Sequence, residues 1–219
     1  MDRIPFDPYD FFGYLASGLL VVVAMELLLG FPKVIGQELK AVDAALLIVG
    51  IYVAGQIIAT PAKALLEDGF VGRILGRPSE NLLLASTPLL KRLVFPGYVK
   101  PLPDTIKKKI LERAAREGVT DTGERLFLHV RYLPEILTNE KLMAKLEIFV
   151  NKYGFTRNLS FTSLMIGAGL LLKACVEGDL ELRKFGVTAM AVGVLLFYRY
   201  LKFFRQYSFE LLNQYGGKN

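Results

Sequence analysis

The sequence is short of nearly everything an active site is made from. Its 219 residues hold one cysteine, Cys175, and one histidine, His129. A single cysteine excludes an internal disulfide and says little about the redox compartment. Without a second histidine, and with the cysteine distant, neither a zinc site nor a Cys–His nucleophile pair is supported. His129 is therefore expected to be solvated or locally packed on a helix. GRILGRP, residues 72–78, has two glycines and two arginines without the Walker spacing, and reads as a turn. Acid pairs inside an apolar run, which an intramembrane protease or transferase would need, are also missing. No catalytic, cofactor-binding or metal-binding residue is expected, and the chain is read as non-enzymatic.

Polar interruptions are scarce too. The chain is 53% hydrophobic and 22% charged, with a mean hydropathy of +0.37, unusual for a water-soluble domain. Most apolar residues fall in four clusters: Phe11–Phe31, Ala44–Ala62, Leu159–Val176 and Phe185–Phe204. At about 1.5 Å per residue, runs of roughly 18–21 residues span about 27–31 Å, close to a hydrocarbon core of about 30 Å. A soluble helical bundle would show polar stripes on the helical period instead. Leu19 to Leu29 has only Glu26 as an interruption, and Ala44 to Ala59 only Gln56 as a strongly polar side chain. The fold class expected is all-α: a polytopic membrane protein with four transmembrane helices. The opening MDRIPFDPYD has neither a positive n-region nor a small-residue cleavage site, so the first run is expected to be retained as a span. No lipidation or ER-retention motif, convincing internal repeat or low-complexity tract is visible.

Charge orders the rest. Lys63–Asn158 carries 17 Lys and Arg against 11 Asp and Glu, a net +6, whereas the remaining residues cancel. Lys63, Arg73 and Arg77 follow the second span, Lys152 and Arg157 precede the third, and Arg199, Lys202 and Arg205 close the fourth. The opposite loops are sparse, with Lys33 and Lys40 in one and Arg183 and Lys184 beside acids in the other. The positive-inside bias thus puts both termini and the middle of the chain in the cytoplasm of a bacterial inner membrane.

The plan is two helical hairpins, residues 1–62 and 159–219, around a basic helical cytoplasmic insert, residues 63–158. The first hairpin turns through PKVIGQELKAVD (32–43), with Pro32 as a stop and Asp43 as a cap. The second turns through EGDLELRKFG. In the insert, PDTIKKKILERAAREG predicts a helix with Asp104 as N-cap, Ile106, Ile110 and Ala114 on one face, and Gly118 as a stop. A second helix is predicted from Asp121 to about Tyr132, ended by Pro134. A third starts at Thr138, carries Leu142, Leu146 and Phe149 on one side, and runs with few breaks into span three. NLLLASTPLL (81–90) is apolar enough to pack on the insert or graze the bilayer. A core this thin is marginal alone, so the insert is expected to lean on the spans or on a second subunit.

Glu26 is the odd residue within the first span. In this topology Lys173, in span three, reaches a similar depth, and an interhelical Glu26–Lys173 pair would satisfy both charges. Two alternatives stay open. Lys173 snorkels while Glu26 faces an oligomer interface or water, or Glu26 belongs to an ion or proton path with Gln56. Arg199, in FYRYLKFFRQY (197–207), fits an interfacial belt with Lys202 and Arg205, matched by Phe6, Tyr9, Phe11, Phe12 and Tyr14. Small residues recur at helix-contact spacing: Gly13 and Ser17, Gly50 and Ala54, Gly55 and Ala59, Ser163 and Gly167, Ala189 and Gly193. Lys107, Lys108 and Lys109, with Arg113 and Arg116, make one helix of the insert basic. Such a face obeys the positive-inside bias and would also suit anionic lipid or, less readily, nucleic acid.

The opening FDPYDFFGYLASG, followed by four spans and a basic cytoplasmic insert, resembles small bacterial membrane proteins. Some proteins of that appearance act as membrane subunits of antiphage defence systems. The resemblance lies in architecture and this N-terminal stretch, and carries over no functional residue. It implies a protein that senses damage or permeabilises the inner membrane. The expected partners are the lipid bilayer, further copies of the chain, and a cytoplasmic protein bound by the insert. The rival expectations are an ion-channel or small transporter subunit, and a passive anchor for a soluble partner.

Overall fold

The computed structural model describes residues 8–31, 38–83 and 88–217. Phe6, Pro32, Lys33 and the centre of NLLLASTPLL, residues 84–87, lie outside the described residues. The described chain is all-helical: α1 (Pro8–Leu29), α2 (Ala41–Ala62), a π-helical stretch (Lys63–Leu75), α3 (Pro78–Leu83), α4 (Leu89–Val94), α5 (Asp104–Arg116), α6 (Glu124–Arg131), α7 (Pro134–Leu137), α8 (Glu140–Glu177) and α9 (Leu180–Gly217). Four stretches are long and apolar enough to cross a membrane: Phe11–Leu29, Ala41–Leu83, Glu140–Glu177 and Leu180–Gly217.

Local chemistry sets several boundaries. α1 ends at Gly30, whose φ of +69° continues no right-handed helix. Asp43, expected as a cap, lies inside the first turn of α2, where its charge faces the helix's unsatisfied N–H groups. Pro61 lacks an N–H to give the Ile57 carbonyl, and the helical register widens from Lys63 onward. Between α8 and α9, Gly178 takes φ +70°, and the Asp179 carboxylate accepts from the N–H groups of Glu181 (2.8 Å) and Leu182 (3.2 Å). α8 is unbroken from Glu140, two residues after the predicted start, through the third apolar run. At 38 residues, α8 and α9 are each roughly 57 Å long, nearly twice a hydrocarbon core.

The chain divides into two compact units, one of Met1–Asp68 with Gly154–Tyr200, the other of Gly69–Tyr153 with Leu201–Asn219. Backbone packing at glycine organises the first. A Cβ on Gly18 would collide with the Ile51 carbonyl, and one on Gly55 with the Tyr14 carbonyl, so α1 and α2 touch main chain to main chain. Gly167, Gly186 and Gly193 lie against Met190, Leu171 and Leu164, joining α8 to α9. Gly13 lies beneath Phe155 and Gly169 beneath Leu28, joining α1 to α8. Four of the five small-residue pairs therefore supply contacts inside this unit, while Gly50 of the fifth has open space around it.

This unit has an apolar surface and an interior in which polar side chains sit among apolar ones such as Ile51, Phe161, Leu170 and Phe197. Ser17, Asn158, Ser160, Thr162 and Ser163 are buried, whereas Val42, Leu46, Ile57, Leu172 and Leu195 are each about two-thirds exposed or more. The buried hydroxyls bond to backbone: Ser160 donates to the Gly193 carbonyl (2.9 Å), Ser17 to Gly13 (3.0 Å) and Thr162 to Asn158 (2.9 Å).

The second unit has the ordinary order, apolar within. Leu82, Leu102, Ile110, Leu126, Val130, Ile136, Leu142 and Leu146 form its core with Tyr207, Leu211, Leu212 and Tyr215 of α9. The predicted face of α5 is confirmed: Ile110 and Ala114 are buried and Ile106 packs beside them. Asp104 is the first helical residue and Pro103 occupies the cap position. Gly118, with φ +76°, ends the helix, and the Val119 N–H returns to the Ala114 carbonyl at 2.8 Å. α6 is shorter than predicted because Gly123, at φ +90°, starts it only at Glu124. Residues after Phe204, beyond the fourth apolar run, supply some of the most deeply buried side chains of this core.

Candidate functional site

The densest polar constellation lies in the second unit and is centred on Arg113. Its three guanidinium nitrogens are all used. Nε donates to Glu117 Oε1 (2.8 Å), one Nη to Glu135 Oε1 (2.6 Å), and the other to the Tyr215 carbonyl (2.9 Å). The guanidinium carbon also lies 4.3 Å from the centre of the Tyr215 ring. Glu117 is the second hub: its Oε2 accepts from the Tyr215 hydroxyl (2.9 Å) and meets His129 Nε2 at 2.8 Å. α5, α6, α7 and α9 are thereby tied by one connected network, whose five members the sequence spreads over a hundred residues.

The electrostatics follow from this geometry. Burial alone would push the Glu117 carboxyl up, but hydrogen bonds from His129, Arg113 and Tyr215 overcome it and hold it below the usual carboxylate range. Burial likewise works against the charged form of Arg113, and the bonds to Glu117 and Glu135 outweigh it, so its proton is held more tightly than usual. Burial, then the bond to Glu117, pushes the Tyr215 phenol well above its ordinary value. The hydroxyl is thus fixed as a donor and the carboxylate as an acceptor. This is a latch with both charges satisfied, a structural arrangement more than a reactive one.

The basic face expected on α5 is smaller in the structure. Arg113 turns into the network, its side chain 17% exposed. Lys107 is half-buried, Lys109 and Arg116 are exposed, and Lys108 pairs loosely with Glu112 at 3.8 Å. His129 is locally packed, in contact with Glu117. A second cluster ties the start of α3 to α6: Arg77 and Ser79 both donate to Glu124, at 2.5 and 3.0 Å, and the Asn81 amide donates to the Leu75 and Gly76 carbonyls. The reading of GRILGRP as a turn holds for its end, since Gly76 takes φ +83° and receives the Tyr98 hydroxyl at 2.8 Å.

In the first unit, Lys173 reaches α1. Its ammonium donates to the Leu27 carbonyl at 2.8 Å, one residue beyond Glu26, and lies 4.0 Å from Glu177. Glu26 is half-buried on the same stretch of α1. Gln56 is exposed on α2 and its amide donates to the Tyr52 hydroxyl at 2.7 Å. Tyr52 in turn packs against Phe11 and Tyr14, part of the predicted aromatic belt. Arg199 is exposed on α9. Lys173 is thus bonded to α1 one residue beyond Glu26.

Sequence reading missed an ion pair here. Arg157 of α8 donates to Glu67 of the π-helical stretch at 2.5 Å, with side chains only 12% and 15% exposed, and its other nitrogens reach Asn158 Oδ1 at 3.1 and 3.2 Å. Opposite charges just after the second apolar run and just before the third are its only sequence signal. Among the described residues, no group of three or more His, Cys, Asp or Glu is placed to hold a metal ion.

The chain matches no known protein family, no curated protein and no solved structure.

Proposed function

We propose that this is a non-enzymatic, oligomeric multi-pass protein of a bacterial inner membrane. It receives a signal or a protein partner through its basic helical insert and answers by signalling or by letting the membrane leak. The observation that carries the reading is the apolar surface of the first unit, with leucine and valine outward and hydroxyls and an amide among its buried side chains. In water that distribution exposes far more apolar surface than a monomer tolerates; in lipid the outward side chains are solvated and the buried hydroxyls bond internally. The glycine contacts of α1 with α2, and of α8 with α9, fit two antiparallel pairs, as the two-hairpin plan requires.

Two further observations favour a receiver over a passive anchor. α8 and α9 each run without a break and supply residues to both compact units, so the unit that would receive a partner and the apolar unit share the same two helices. The Arg113–Glu117–Tyr215 latch pins the end of α9 inside the unit that would meet a partner. Gly50, open on the outside of α2, supports contact between copies. Antiphage defence is the setting that the N-terminal resemblance implies.

The experiment is reconstitution. The purified protein in dye-loaded vesicles is compared with protein-free vesicles, and its particle mass in detergent is corrected for bound detergent. A ring-sized particle with leakage triggered by a partner supports the reading. A monomer that leaks constitutively favours the channel or transporter alternative. A protein that stays dispersed in plain buffer, or a label near Lys108 reacting from outside intact cells, overturns the membrane topology.

A further inference from the structure

We infer that α4 is a second, shallow membrane contact: a short leucine wedge that inserts into an anionic cytoplasmic leaflet. The helix reads LLKRLV, and Leu89, Leu90 and Leu93 are 84%, 73% and 77% exposed. Among the described large apolar side chains only Val176 is more exposed than Leu89. The contrast with the same unit is sharp. Leu82 and Leu83 lie just before α4 and Leu102 just after, and all three are core. The unit can bury leucine, and does so on either side of α4.

The occupant is identified by charge. Lys91 lies between the exposed leucines with Arg92 beside it, and residues 88–109 hold six Lys and Arg against the single Asp104. That net +5 is most of the chain's +6. Apolar side chains interleaved with cations suit the boundary of acyl chains and acidic headgroups, where leucine leaves water and lysine or arginine meets phosphate. A second copy of this chain would bring the same positive charge to the contact and is disfavoured by it. The exposed cations expected from sequence, Lys108 and Lys109, belong to the same positively charged stretch. The wedge gives that charge a ligand: anionic phospholipid rather than a nucleic acid.

This inference rests on the proposed membrane reading, and the test separates the two. In full-length protein carrying Cys175→Ser, an environment-sensitive fluorophore is attached through Leu90→Cys, Leu93→Cys, Leu46→Cys or Arg125→Cys. The protein is reconstituted in vesicles of phosphatidylcholine alone or mixed with phosphatidylglycerol, with bromine on the acyl chains as a contact quencher. The labels at positions 90 and 93 are expected to be quenched at least about threefold more than that at 125 in the anionic vesicles. That quenching should fall by at least about twofold in phosphatidylcholine alone, and equally with Lys91→Glu and Arg92→Glu together. A label at 90 as open to iodide as that at 125, while the label at 46 stays lipid-buried, overturns the wedge alone. Iodide access at both 46 and 90 overturns the membrane reading itself. Protection at 90 that disappears on diluting protein at fixed lipid assigns the face to a second copy and overturns the wedge.

Discussion

Arg157 and Glu67 stand ninety residues apart in sequence and meet at 2.5 Å, both side chains nearly enclosed. An ion pair so placed is held by geometry more than by net free energy, since desolvation offsets most of its attraction. Removing one partner leaves an uncompensated charge. Arg157→Ala or Glu67→Ala should each destabilise the protein by about 3–5 kcal/mol. Arg157→Met with Glu67→Leu should recover nearly all of it. Denaturant unfolding in detergent measures all three, and a double variant as weak as the singles would show the pair to be indispensable.

The Arg113 network should behave as a unit. Arg113→Ala is expected to cost about 2–3 kcal/mol, in line with lost charge-assisted hydrogen bonds. Arg113→Lys should rescue little, because a single ammonium cannot serve Glu117, Glu135 and the Tyr215 carbonyl in one plane. Tyr215→Phe added to Arg113→Ala should cost less than the sum of the two, by calorimetry or by proteolysis of the second unit.

The pH dependence has a definite sign at each end. Glu117 is held below its ordinary range in the folded state, so its contribution is present above the unfolded carboxylate value and is lost as pH falls through the folded one. Tyr215 is raised, so its contribution is present below the ordinary tyrosine value of 10.0 and declines as pH rises beyond it. The second unit should therefore loosen in acid and again above about pH 10, and be flat between. Glu117→Gln should blunt the acid limb, monitored by tyrosine fluorescence at fixed ionic strength.

Glycine positions give a contrast within one helix. Gly55→Leu and Gly18→Leu place side chains into facing carbonyls and should prevent α1 and α2 from closing, with loss of folded protein in detergent. Gly50→Leu meets open space and should leave the fold intact. If copies meet at α2, Gly50→Leu shifts the particle mass; an unchanged mass would locate their contact elsewhere.

For the pair that the first span raised, Lys173→Ala and Glu26→Ala are each expected to weaken the protein by about 1 kcal/mol, with the double change below their sum. Strict additivity would leave Lys173 with the Leu27 carbonyl and Glu177 only.

What the sequence made legible was whatever repeats locally. Four apolar runs, each with few polar interruptions, announced four long helices, and the spacing of Ile106, Ile110 and Ala114 announced α5. The merger of the helix after Thr138 with the third run was also readable, because no proline and only one glycine, Gly154, stand between them. The Arg113 network was not, because Tyr215 lies 102 residues away and contributes a backbone carbonyl, which has no sequence signature. Arg113 looked like one more cation on a solvated face for the same reason. The π-helical stretch and the short α3 and α4 escaped because glycine and proline fragment the pattern there.

The end of α9 has a consequence for how the protein is made. Leu211, Leu212 and Tyr215 complete a core whose other walls, residues 69–153, leave the ribosome far earlier. That earlier portion has an open core until α9 has been made. A chain cut before residue 201 would leave the apolar faces of residues 69–153 uncovered, the kind of surface that makes partly folded chains prone to aggregate.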